Sequence, residues 1–338
     1  MIDLRSDTVT KPTKEMLQYM FEAEVGDDVF EQDPSINALE EKGAKIFSKE
    51  ASIFCPSGTM TNQIGIKIQS NSPGEMICDE LSHVYLYEGG GLSFNSGISV
   101  RLLQGDRGRI NADLIRNAIN PDDVHKAETQ LVSIENTCNK GGGSIYDLKT
   151  MKDISTLCRE KGLNLHLDGA RIFNALVESD YTANDIGACF DTISVCLSKG
   201  LGCPVGSLLM GSKANIKKAR RIRKILGGGM RQAGYLAAAG IYALDHNIQR
   251  LKEDHEKARN LSLVLQTLSY VTDVYPVETN VLVFEIDAKM STSDFLEKLQ
   301  SRGILAVEFG PQLIRFVTHL DFSNEDMEVV MEALKGIG

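Results

Sequence analysis

Between residues 50 and 210, short apolar runs alternate with stretches of helical periodicity, and nothing else in the chain restricts its fold as much. Runs of strand length fall at 51–55, 75–79, 98–103, 130–134 and 163–168, and two more flank the glycine-dense turn inside 192–211. Helical patterns separate them, over 112–119 and 147–161 for example. Strands this short, joined by segments long enough for a crossover helix, build a mostly parallel sheet with helices on both faces. The expected fold is α/β: a large domain over residues 1–245 carrying a mostly parallel seven-stranded sheet, with a smaller α+β domain over 246–338. In the smaller unit, 280–286 and 313–318 read as strands, and 293–303 and 324–335 as helices.

Open α/β sheets bind ligands beyond the carboxyl ends of their strands. Asp168 ends one such strand, before the turn Gly169-Ala170-Arg171. Lys199 stands one strand later, in Ser198-Lys199-Gly200-Leu201-Gly202. A lone loop lysine is most often solvated, but among small residues, one strand past an acid, it is set for covalent work. The pair suits pyridoxal phosphate, with Lys199 forming a Schiff base and Asp168 keeping the pyridine nitrogen protonated. Pro56-Ser57-Gly58-Thr59 opens a helix after a strand. Free N–H groups, the Thr59 hydroxyl and the dipole make an anion site there, although a plain N-cap reads the same way. His83 follows a strand end, either as a ring-stacking imidazole or as a hydrogen-bonded structural one. Arg315 sits in an apolar strand, where a guanidinium fork anchors a carboxylate. Gly227-Gly228-Gly229 is costly to order, so its backbone passes close to something, and Arg231 opens the next helix. The basic helix 213–224 and the acidic loop 27–34 read as solvated faces.

Charge and cysteine usage narrow the partners. A net charge of −10 argues against nucleic acid and anionic membrane surfaces. No apolar run approaches the roughly 20 residues of a membrane span, and Met1–Asp7 lacks a signal-peptide layout. Seven cysteines without a C-x-x-C pair read as free thiols in a reducing cytoplasm, with no metal site among them.

Five motifs in order carry a resemblance: Leu4-Arg5-Ser6-Asp7-Thr8-Val9-Thr10, Pro56-Ser57-Gly58-Thr59-Met60-Thr61-Asn62, Asp168-Gly169-Ala170-Arg171, Ser198-Lys199-Gly200-Leu201-Gly202 and Gly227-Gly228-Gly229-Met230-Arg231-Gln232. Together they resemble the L-threonine aldolases, pyridoxal-phosphate enzymes of the aspartate-aminotransferase fold (fold type I). The resemblance spans about residues 3–318. It implies reversible cleavage of L-threonine or L-allo-threonine to glycine and acetaldehyde, with the cofactor covalently bound to Lys199 and Asp168 at its ring nitrogen. Gly58, Thr59, Ser198 and Arg231 would hold the phosphate, and His83 would stack on the ring. Arg171 would touch the phenolic oxygen and the substrate carboxylate, with Ser6 and Arg315 completing the carboxylate clamp. His125 would lie near the substrate hydroxyl, and the base is His83, His125 or a water they hold. A homo-oligomer, a tetramer by the family's habit, is implied. One departure stands out: Cys138 occupies the position where the family often has histidine. A β-eliminating lyase or racemase of the same fold would share Lys199 and Asp168, as would a silent cofactor carrier. The set Ser6, Arg171, Arg315 and the histidines favours the aldolase.

Overall fold

The computed structural model describes residues 1–337. A two-residue strand, β1 (Ile2–Asp3), precedes the seven strands of the main sheet. These are β2 (Ala51–Cys55), β3 (Glu75–Asp79), β4 (Ser99–Leu103), β5 (Thr129–Glu135), β6 (Asn164–Asp168), β7 (Thr192–Cys196) and β8 (Ser207–Gly211). Their order across the sheet is β2-β8-β7-β6-β5-β3-β4. From β7 to β4 all neighbours are parallel, and β8 runs antiparallel to β2 and β7. The α/β reading holds. Every residue of β3, β7 and β8 is buried. Helices cover both faces of these strands, which is why even their polar members, such as Thr192, Ser194 and Ser207, are buried.

Local signals account for the strand deliveries that matter. The helix Leu148–Lys161 starts where the Asp147 side chain accepts from Thr150 N–H and ends at Gly162, whose φ of 67° is left-handed. That stop feeds β6 directly and fixes Asp168 at its carboxyl end. The helix Gly58–Ile68 begins with Ser57 accepting from Met60 N–H. Its Thr61 hydroxyl bonds Ser194 of β7 (2.7 Å) and Ser207 of β8 (2.9 Å), seating the helix start on the sheet.

The C-terminal part holds β9 (Val271–Val274), β10 (Val281–Ile286), β11 (Ile304–Leu305), β12 (Val307–Gly310) and β13 (Leu313–Val317). Four of these form an antiparallel sheet in the order β12-β13-β10-β9. On β13, Ile314 and Phe316 join the apolar core with Phe284, Leu261 and Leu299. Arg315 between them therefore points to the opposite face, as strand alternation requires. The N-terminal segment, counted with the large unit by chain order, is held by the small one. β1 pairs in parallel with β11, and Leu4 lies in the same core. This pairing returns Ser6 and Asp7 to the sheet's carboxyl edge.

The two charged stretches read as solvated faces meet each other instead. Arg223 is 4 % exposed, pairs with buried Asp28 at 2.7 Å and donates to the Phe54 carbonyl of β2. Glu40 accepts from Phe54 N–H and pairs with Arg220. Phe54 sits on the sheet's edge strand, so these side chains take the place of a missing strand partner. Burial of a charge here is tolerable because each is paired and hydrogen-bonded. Among the described residues no helix is long and apolar enough to cross a membrane.

Candidate active site

Strand register brings the site together. Glu135 of β5 lies beside Asp168 of β6, which lies beside Ser194 of β7. Above this edge opens a cavity of about 350 Å³, whose lining includes Ser6, His83, Arg171, Lys199 and Arg315. These five sequence candidates, drawn from both units, share one space. Tyr87, Asn139, Lys140 and Phe309 complete much of its wall.

Asp168 is 1 % exposed and both its oxygens are engaged. Oδ2 accepts from Asn62 Nδ2 at 2.8 Å and Oδ1 from Ala170 N–H at 3.1 Å. Asn62 is a hub: its amide nitrogen also donates to Glu88 at 2.8 Å, and its oxygen lies 3.2 Å from His166 Nε2. Since the Asn62 nitrogen serves two acids, its oxygen must accept, so His166 carries its proton on Nε2. Nδ1 then accepts from the Thr192 hydroxyl at 2.7 Å. Burial pushes this imidazole down to about 4, against the pull of Asp168, so it stays neutral.

His83 starts a short helix after β3, with Nδ1 3.1 Å from Glu88 Oε1. Burial alone would lower its pKa, but Glu88, Asp168 and Glu135 outweigh burial and the net direction is upward. Ligand atoms of His83, Glu88 and Asp168 lie within 4.8 Å of one another. A cation there would have to displace the N–H donors already bound to these acids.

The arginines differ in what they have left to give. Arg171 makes a buried two-pronged pair with Asp7, at 2.8 and 2.7 Å. Burial would raise the Asp7 carboxyl, yet Arg171, Lys199 and Asn280 hold it well below the usual carboxylate range. Arg315 has no acid partner. It donates to Asn139 Oδ1 (3.0 Å) and to the Arg5 carbonyl (2.8 Å), and its buried Nε is unpartnered. Burial, with the like charge of Arg171, pushes it down to about 10.

Gly58 sits so close to β7 that a Cβ there would come within 2.4 Å of Cys196 Sγ. Within the triple glycine, Gly227 faces open space at a left-handed φ of 82°, while a Cβ on Gly228 would lie 2.4 Å from Met60 Sδ. That contact brings the segment next to Thr59. Arg231 itself turns away, pairing with Asp27 and lying over the Phe30 ring. Ser198 is half-buried beside Lys199. His125 is outside the cavity lining, on an exposed loop with its side chain 87 % exposed and paired to Asp123. Cys138 is fully buried, and burial raises its thiol well above the ordinary value.

Sequence reasoning gave no role to Asp7, Asn62, Glu88, Glu135, Asn139 or His166. For Glu135 a signal existed, since it is an acid at a strand's carboxyl end like Asp168. The others are joined by contacts between distant segments, which no local pattern encodes.

Comparison with known proteins places the chain in a family. The Beta-eliminating lyase family model matches residues 3–289. The chain is 42 % identical to the low specificity L-threonine aldolase of Escherichia coli, over 98 % of this chain and 97 % of that one. It is 37 % identical to the low-specificity L-threonine aldolase 1 of Arabidopsis thaliana, over 99 % and 95 %. Its fold superposes on the Leishmania major threonine aldolase with a TM-score of 0.87, covering 100 % of this chain and 99 % of that one at 21 % identity. The chain belongs to the beta-eliminating lyase family and, within it, to the low-specificity L-threonine aldolases.

Proposed function

We propose that this protein is a lyase that reversibly cleaves L-threonine and L-allo-threonine to glycine and acetaldehyde, with pyridoxal phosphate bound covalently to Lys199. The observation that carries this reading is Arg315, a half-buried guanidinium with no acid of its own and a buried, unpartnered Nε, lining the same cavity as Lys199. An amino-acid carboxylate would supply the missing charge. The strand-end Asp168 and the close seat of Gly58 on β7 support the cofactor, matching a basic ring nitrogen and a phosphate at a helix start.

When bound, pyridoxal phosphate supplies an electron sink for the carbon that keeps the bonding pair as Cα–Cβ breaks. The chain's own residues do the rest. Asp168 holds a proton at the ring nitrogen. Asn62 and Ala170 N–H fix the carboxylate's orientation for that task. Gly58, Thr59 and Ser198 hold the phosphate, and Arg231 joins them only by leaving Asp27. His83 forms one wall over the ring, with its Nδ1 tied to Glu88. Arg315 takes the substrate carboxylate, flanked by Ser6, while Arg171 spends one edge of its fork on Asp7. Holding that carboxylate would restrict how the substrate can turn in the cavity, and so which of its bonds at Cα could be broken. The β-hydroxyl proton goes to an imidazole or to a water it holds. His125 could take part only if its loop meets the cavity in an assembly.

Exposed Phe21, Phe30, Phe94 and Ile225 support a homo-oligomer, for which a tetramer is the expectation. The described cysteines are all free, which supports a reducing cytoplasm.

The test is release of acetaldehyde from L-threonine and L-allo-threonine by the cofactor-loaded protein, read by a coupled dehydrogenase. No acetaldehyde from either substrate would overturn the reading. Arg315→Lys separates binding from chemistry. A point charge cannot reproduce the fork, so the dissociation constant for glycine is expected to rise by roughly tenfold or more while cofactor content stays the same. Unchanged glycine affinity would remove Arg315 from the clamp.

A further inference from the structure

Glu135 touches both halves of the site. It ends β5, is 4 % exposed, and lies in register beside Asp168. One oxygen, Oε2, accepts from the backbone N–H of His83 at 2.8 Å. The other, Oε1, accepts from the backbone N–H of Asn139 at 2.9 Å. Asn139 in turn accepts from Arg315 Nη1 at 3.0 Å. Two loops that are far apart in sequence, the one after β3 and the one after β5, are thus pinned to a single carboxylate.

We infer that Glu135 is a positioning residue that couples the His83 wall to the Arg315 fork, so that cofactor and substrate affinity are set together by its charge. The inference rests on the proposed roles of His83 and Arg315. A carboxylate can accept from both N–H groups at once, one on each oxygen. A carboxylic acid keeps a proton on one oxygen, and an O–H facing an N–H leaves that donor unmatched. Protonating Glu135 therefore releases one loop or the other. Asp168 faces it from β6, His83 from the loop after β3, and Arg171 from the turn after β6, with the Cys78 and Cys138 thiols nearby. Burial first, and then Asp168, push Glu135 up to about 7 despite its two N–H donors. The charged, two-handed form is present above about pH 7 and is lost as the pH falls through it.

The experiment uses the holoenzyme and three variants, Glu135→Gln, Asn139→Ala and the double variant, across about pH 6 to 9. Glutamine has one acceptor oxygen and mimics the protonated acid at every pH. Glu135→Gln is expected to raise both the cofactor dissociation constant and the KM for threonine, each by roughly tenfold. Asn139→Ala should raise KM alone. In the double variant KM should stay within about threefold of Glu135→Gln, because the two changes cut the same connection. In the wild type both constants should rise below about pH 7, and neither should do so in Glu135→Gln. A Glu135→Gln protein that moves only one constant overturns the coupling, as do independent, multiplying effects on KM. Should Glu135→Gln fail to fold, Asn139→Ala still decides. It must lose the acid rise in KM and keep it for the cofactor, and any other pattern refutes the inference. Cofactor affinity is read by absorbance whatever reaction follows. Absence of threonine cleavage in the wild type would therefore count against the functional reading and not against this one. Substrate affinity would then be read as the dissociation constant for glycine in the same variants.

Discussion

Lys199→Ala is expected to lower threonine cleavage by several orders of magnitude while leaving the fold intact. Lys199 follows β7 and lines the cavity half-buried, so truncating it empties polar space rather than removing apolar core. Its loss takes away the only covalent attachment the mechanism has, and removal of a covalent nucleophile is not compensated by neighbours acting as a unit. Loosely bound cofactor should remain detectable, since the proposed phosphate seat at Gly58 and the Asp168 carboxylate are untouched. Borohydride reduction of the wild type, followed by peptide mapping, should then put the cofactor on Lys199. The informative control is Lys140, a second amine lining the same cavity. It lies over the Phe309 ring and donates to the Phe309 carbonyl at 2.6 Å, so its nitrogen already has a fixed partner on β12. A label on Lys140, or a Lys199→Ala protein with near-normal turnover, would dismantle the proposed mechanism.

What the sequence made legible is local. Short runs bounded by turns located all seven strands of the main sheet, even the partly exposed edge strand β4, and β3, β7 and β8 are buried throughout. The strand-end rule then found Asp168, and the turn after the next strand found Lys199. The short strands β1 and β11 were not legible, because their pairing depends on each other across the whole chain. The charged stretches around Asp28 and Arg223 misled for a related reason: their polarity suggested solvent, while the burial comes from a long-range ion pair. The site divides along the same line. Residues that would meet a ligand stand at strand ends and turns with recognisable chemistry. Those that hold them in place, such as Asn62, Glu88 and Asn139, acquire meaning only when segments dozens of residues apart come together. Arg231 and His125 show the converse. Their motifs were plain, yet within this chain one is bound to Asp27 and the other is exposed.

Asp168→Asn tests the electronic core of the proposal. In the proposed mechanism the carboxylate keeps a proton on the ring nitrogen, since a cationic ring accepts the electron pair released when acetaldehyde departs. Asparagine has nearly the same size but no charge. It also fits the surroundings less well than its shape implies. Both Asp168 oxygens accept N–H donors, from Asn62 and from Ala170, and an amide offers only one acceptor. The substitution therefore exchanges one carboxylate oxygen for an amide nitrogen in the middle of a buried network. Each tenfold loss of rate corresponds to about 1.4 kcal/mol, and losing several units from the ring nitrogen's pKa removes several kcal/mol of stabilisation from the released electron pair. The expected outcome is a cleavage rate lowered by about a hundredfold or more at saturating cofactor and threonine. Attachment to Lys199 should survive, with somewhat weaker cofactor affinity from the unmatched donor. A cofactor methylated on its ring nitrogen carries the positive charge permanently and separates charge from packing. If Asp168 acts through that charge, the methylated cofactor should restore much of the lost rate to Asp168→Asn. A cleavage rate within about threefold of wild type, under 1 kcal/mol, would mean that the strand-end acid is not the partner of the ring nitrogen.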